Sequence, residues 1–230
     1  MNSAFRALAL LLAPAFTAAA AVVESGTLDL RIPGALDGGV VSTLDVSGVP
    51  GPIVRLEVGL TLAGDPLGAN GDLYVILSSD DPAEPYSVLL NRVGRSATMT
   101  AGYGDSGMTV RFADDAPLGD IHTYRMTLNG SHAVPLAALS GTWSPSGREE
   151  DPELVLGTSP RTAPLSNFIG TDPNTRWTLY LVDLLDGADT RLVQWSLDFN
   201  PVAVPEIPAM PVVATIAMAC FAGIRLRGRG

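Results

Sequence analysis

Apolar residues recur at every second position through most of residues 22–203. Val54, Leu56, Val58, Leu60 and Leu62 alternate with Arg55, Glu57, Gly59 and Thr61. Met108, Val110 and Phe112 alternate with Thr109 and Arg111, and Tyr124, Met126 and Leu128 with Thr123, Arg125 and Thr127. Val193, Trp195, Leu197 and Phe199 do the same near residue 200. Side chains point to opposite faces of a strand in turn, so this period gives each strand one face for a core and one for water. Residues 73–77 and 177–182 are more continuously apolar, which predicts central strands. Pro50-Gly51-Pro52, Gly68-Ala69-Asn70-Gly71, Asp80-Asp81-Pro82, residues 102–107 and Asp186-Gly187 read as turns between the runs. No segment keeps a helical period over three turns; residues 133–139 predict one helical turn at most. The expected fold is all-β, a single antiparallel β-sandwich of about nine strands with long connections, and a jelly roll fits this spacing better than an immunoglobulin-like sandwich. A domain of this size buries about 70% of its unfolded surface, enough to be stable without disulfides.

Charge and cysteine usage narrow the function. Of 230 residues, 24 are Asp or Glu against 14 basic residues, all Arg, for a formal net charge of −10. An acidic chain without Lys is a poor phosphate binder, so nucleic acid is excluded as a partner. The single Cys, Cys220, excludes an internal disulfide and any Cys-based zinc site, and it reads as a small apolar residue.

The two ends differ from the middle. Residues 1–21 read as a signal peptide: Arg6 is the positive flank, residues 7–15 are apolar, and Ala18 to Ala21 offer a small-residue cleavage site. The C-terminal residues 204–230 contain Val204, Pro205, Glu206, Ile207 and Pro208, then an apolar stretch, then Arg225, Arg227 and Arg229. Residues 207–224 hold two Pro and fall just short of the roughly 20 apolar residues of a comfortable helical span. Basic residues stay on the cytoplasmic side, which would leave the body of the protein outside. An ordinary anchor helix is the alternative to a transient retention signal.

In its order of parts this tail resembles the PEP-CTERM sorting signal of exopolysaccharide-producing Gram-negative bacteria. Pro205, Glu206 and Pro208 would form the sorting motif, and Arg225, Arg227 and Arg229 the basic end. Ile207 stands where the family's motif has its second Pro. The resemblance implies an exported protein, held as a precursor in the inner membrane by a short hydrophobic helix and processed by an exosortase-type membrane enzyme. It would reach the envelope surface or the extracellular matrix.

The middle carries a second resemblance. Ile32-Pro33 with residues 40–46, residues 71–77 with 88–90, and residues 172–183 with 192–197 resemble the P domain (P/Homo B) that follows the catalytic domain of subtilisin-like proprotein convertases. The similarity spans nearly all of residues 22–203. It implies a galactose-binding-like jelly roll. The chain departs from the family in lacking a protease domain and in placing Arg176 before Trp177, where the family has Gly.

Two functional expectations follow. The first is a non-catalytic exported interaction module whose partner is exopolysaccharide or an envelope protein. The alternative is a module associated with serine endopeptidase activity, stabilising or targeting a separate subtilisin-like protease. Gly104-Asp105-Ser106-Gly107 mimics a protease nucleophile loop, but both His122 and His132 follow Ser106, opposite to the chymotrypsin order. It reads instead as a turn into the strand at Met108, and the histidines as solvated loop residues. The family resemblance also implies calcium, which takes six to eight oxygen ligands. Asp72, Asp105 and Asp183 are the candidate ligands, with solvated acidic loops as the alternative. Trp177 and Trp195 fit core positions. Trp143, before Ser144-Pro145-Ser146-Gly147, is the candidate for an exposed aromatic.

Overall fold

The computed structural model describes residues 20–64, 66–185 and 189–200. The leader other than Ala20 and Ala21, and the whole sorting tail with its motif, lie outside the described residues.

Ten strands form two sheets. In chain order they are β1 (Ala21–Glu24), β2 (Leu30–Arg31), β3 (Val40–Asp45), β4 (Leu56–Ala63), β5 (Leu73–Ser79), β6 (Tyr86–Asn91), β7 (Met108–Phe112), β8 (Leu139–Trp143), β9 (Arg176–Asp183) and β10 (Arg191–Phe199). The larger sheet runs β1-β10-β4-β7-β8, with β2 also on β10, and the smaller runs β3-β9-β5-β6. As their apolar sequences predict, β5 and β9 occupy the centre of the smaller sheet. All ladders are antiparallel except β7–β8, which is parallel. The expectation of a wholly antiparallel sandwich is corrected at this pair. The 113–138 connection is long enough to cross over before β8 begins. The longest strand, β10, slips register between Leu192 and Gln194; the extra residue bends the strand. At its other end Phe199 lies opposite both Ala21 and Leu56, so the first and last strands of the domain start and finish side by side.

Alternation places Leu56, Val58, Leu60 and Leu62 of β4 inward, against Leu192, Trp195, Leu197 and Phe199 of β10. Leu73, Val75 and Leu77 of β5 and Trp177, Leu179 and Leu181 of β9 face them from the second sheet, completing one core. Burying each such side chain contributes about 1.5–3 kcal/mol. All three tryptophans are buried, and each indole N–H donates: Trp143 to the Ser140 carbonyl, Trp177 to that of Pro173 and Trp195 to the Ser42 hydroxyl, at 2.9, 3.0 and 2.9 Å. Trp143 is therefore a core residue and not the exposed aromatic its neighbouring loop suggests. It ends β8, where Phe112 of β7 pairs with it and its ring meets Tyr124.

The run around Tyr124 is corrected too. Its alternation predicts a strand, but Tyr124–Asn129 forms a short helix, α1. The Asp120 carboxylate accepts from the His122 N–H and starts a helical turn, and Gly130, at φ +62°, closes the helix. Six residues are too few for a helical period to stand out from an alternating one.

Candidate binding face

The outward side chains of the larger sheet come from five strands. One row across it is Glu24, Ser196, Gly59, Arg111 and Thr142; the next is Gln194, Thr61, Thr109 and Ser140. A recess of about 370 Å³ opens over these residues. Gly59 keeps its floor low: a Cβ there would sit 2.4 Å from the Ser196 hydroxyl. Beside Glu24 and Arg111, the polar side chains of its lining are the hydroxyls of Thr61, Thr109, Thr142 and Ser196 and the Gln194 amide, groups that both donate and accept.

One end of the face is charged and internally paired. Arg111 reaches Glu57 at 3.2 Å and Asp198 at 3.1 Å. Arg55 reaches Glu57 at 2.9 Å and Asp115 at 2.8 Å. Partial burial pushes the Asp198 carboxyl up from its ordinary value, and the Arg111 guanidinium opposes that shift. The two arginines are spent on these carboxylates. What remains for a ligand is a hydrogen-bonding surface whose further charge is the Glu24 carboxylate, suited to a polar chain without negative charge and not to a phosphate or carboxylate.

The expected calcium ligands do not converge. The Asp105 carboxylate accepts from Arg125 (Nε at 2.6 Å, and Nη2) and from the Tyr124 hydroxyl. The Arg125 guanidinium also lies over the Tyr103 ring at 4.5 Å. Burial and this hydrogen bond raise the Tyr124 phenol, so it stays protonated and donating. A guanidinium already neutralises Asp105, which leaves it a poor cation ligand. Asp72 and Asp183 do come together, because Asp183 is the β9 partner of Leu73. Among the described residues no group of three or more acidic, His or Cys side chains is placed to hold a metal. The residues present thus do not fit the calcium site that Asp72, Asp105 and Asp183 were expected to build.

The Asp72–Asp183 pair has another consequence. Burial first, and the Asp183 charge second, raise Asp72 to about 6, with Arg92 opposing. The folded state therefore holds a proton that the unfolded chain releases at its ordinary value of 3.8. Stability falls as pH rises through that window, and the loss is complete above about pH 6. Asp72→Asn is expected to melt higher than the natural chain at pH 7.5 and level with it at pH 4. Equal melting temperatures at both pH values would contradict this reading.

The histidines and Ser106 stand apart. His122 is buried, contrary to the expectation of a solvated loop residue, because the turn capped by Asp120 carries it inward. Its Nε2 lies 3.0 Å from the Arg95 carbonyl, and burial lowers its pKa. His132 is exposed, with Nδ1 3.3 Å from the Tyr103 hydroxyl. Ser106 packs against Gly64, where a Cβ would lie 2.5 Å from its hydroxyl. The stretch from Gly104 turns into β7, as its sequence predicts.

The sequence did not reveal the recess. Each strand contributes only one or two polar residues to it, and no motif joins them. Gly59, an interruption in an otherwise regular β4, is the one local signal.

No family model matches the chain, and no curated protein matches it. Among solved structures, the chain aligns with the serine protease of Aeromonas sobria at 15% identity and a TM-score of 0.32. It aligns with the complex of that protease and the chaperone ORF2 at 16% and 0.33. Each alignment covers 78% of this chain and 27% of the other, so the chain spans about a quarter of the length of these proteins. Overlap this loose carries no argument about fold or function.

Proposed function

We propose that this chain is an exported, non-catalytic surface or matrix protein, a jelly-roll interaction module carried to the envelope by its leader and its PEP-CTERM-like tail. An exosortase-type enzyme would process the tail, and exopolysaccharide would be the ligand. The observation that supports it most is the recess on the larger sheet, with its hydroxyl and amide lining over Gly59. Its groups suit the hydroxyls of a neutral glycan chain, and Arg111, the cationic side chain of its lining, is already paired with Glu57 and Asp198.

The test is a glycan-array screen of the exported protein beside its Gly59→Leu variant. The added side chain would project into the recess, while the atom it crowds is the mobile Ser196 hydroxyl. At least about a tenfold loss of glycan affinity is expected, equivalent to about 1.4 kcal/mol, with little change in melting temperature. Glycan binding that survives Gly59→Leu would move the site elsewhere. Recovery of a subtilisin-like protease with the protein, and no glycan binding, would favour the protease-associated module.

A further inference from the structure

Sheet edges expose main-chain donors and acceptors, and proteins usually cover or blunt them. In this fold the edge at β6 is covered. The Val88 N–H donates to the Ala163 carbonyl at 3.1 Å, and the Ser146 and Gly147 N–H groups donate back to Leu89 and Val88 at 2.9 and 2.8 Å. In the larger sheet β1 has four residues and β2 two, and β8 is interrupted by Gly141 at φ +99°.

The edge at β3 has none of these devices. Its six residues, Val40–Asp45, pair with β9 in unbroken register from Val40↔Leu181 to Asp45↔Arg176. There is no Pro, no bulge and no charge before Asp45, which is itself paired with Arg176 at 2.8 Å. Val41 is 54% exposed. Among the described residues, none of the backbone bonds outside the ladders falls on these six.

The ladder fixes which groups point outward. The Val46 N–H donates to the Thr175 carbonyl at 3.0 Å, continuing the β3–β9 register. Main-chain groups alternate sides along an antiparallel strand. Leu44, Ser42 and Val40 therefore bond to β9, while Val41, Thr43 and Asp45 present their N–H and C=O groups at the open edge.

We propose that two copies of this chain join through β3, antiparallel, about a two-fold axis at Thr43. This register sets Val41 against the second copy's Asp45, Thr43 against its own counterpart, and Asp45 against Val41. It is the symmetric pairing that uses all three outward residues of each strand. Centring on Ser42 would leave Asp45 opposite Gly39. Paired in this way, the three outward N–H and three outward C=O groups of each copy are all met by those of the other, so a second copy satisfies the whole open edge. Thr43 meeting Thr43 across the axis is a favourable cross-strand pair. The contact is isologous, so it closes at two and joins two four-stranded sheets into one.

The test is disulfide trapping in the full chain with Cys220→Ala, leaving no natural thiol. Hydrogen-bonded antiparallel partners lie about 5.5 Å apart at Cα, within disulfide reach. Thr43→Cys is expected to give a linked dimer under mild oxidation, as is the double change Val41→Cys with Asp45→Cys. Val41→Cys alone should form no covalent link. Thr43→Pro removes an outward N–H that β9 does not use. It is expected to convert dimer to monomer in sedimentation while the ladder to β9 stays intact. A natural chain that sediments as a monomer would overturn the proposal. So would Thr43→Cys failing to cross-link while Val41→Cys with Thr43→Cys succeeds, or trapping to cysteines placed on β1.

Discussion

Arg148→Ala is expected to cost about 3–5 kcal/mol, the penalty for stranding a buried charge. That is a large part of the 5–15 kcal/mol that holds a typical domain folded. The Arg148 side chain is only 3% exposed. Its two terminal nitrogens reach the Asp120 carboxylate at 3.2 and 2.6 Å, the Ser146 carbonyl at 3.0 Å and the Gly157 carbonyl at 2.6 Å. One guanidinium thus fastens the connection after β8 to the turn that starts α1. Removing it takes a donor from three acceptors and leaves the Asp120 carboxylate with the His122 N–H but no guanidinium. Arg148→Lys should recover only part of the loss, since an ammonium cannot reproduce the planar fork. Arg148→Met with Asp120→Asn should be more stable than Arg148→Met alone, because the second change removes the stranded charge. Urea denaturation of the four variants checks this; a loss below about 1 kcal/mol for Arg148→Ala would place the pair among ordinary surface ion pairs.

Trp177→Ala should be comparably damaging, at about 3–5 kcal/mol. The indole is fully buried between Phe168 and Phe199, with ring centroids at 4.9 and 5.4 Å. It sits on β9, bonded on both sides, opposite Leu44 of β3 and Ser79 of β5. Strands locked on two sides cannot close over the void, so the cavity penalty adds to the lost transfer energy. Trp177→Phe keeps most of the volume and should cost less than half as much. Thermal and urea melts measure both; equal melting temperatures for the natural chain and Trp177→Ala would contradict the packing described.

Strand positions in this fold were legible in the sequence because a half-buried strand repeats every two residues. β4 from Leu56, β7, and β10 from Trp195 follow their alternation, and β5 and β9 their more continuous apolar runs; Val54 is exposed, and the register shift after Leu192 puts Leu192 in the core in place of Val193. Trp177 and Trp195 could be placed in the core for the same reason. The reading failed where tertiary partners decide. Tyr124 to Leu128 alternates, yet the cap at Asp120 and the stop at Gly130 make it helical. Trp143 is followed by a polar loop, but β8 carries it inside beside β7. The candidate ligand Asp105 is taken by Arg125, twenty positions on, and no local pattern announces that partnership. Recess residues such as Thr61, Thr109, Thr142 and Gln194 lie far apart in the chain, and only strand order brings them to one face.

The neighbouring ends of β1 and β10 have a mechanical consequence. With Ala21 beside Phe199, a load applied across the two ends of the domain does not shear the strands along their length. It peels them from one end, so the hydrogen bonds between them take the force one after another. The four residues of β1 would come away first, leaving β10 still held by β4. A domain loaded in this way yields at its margin while its core stays shut, a fuse instead of a rope.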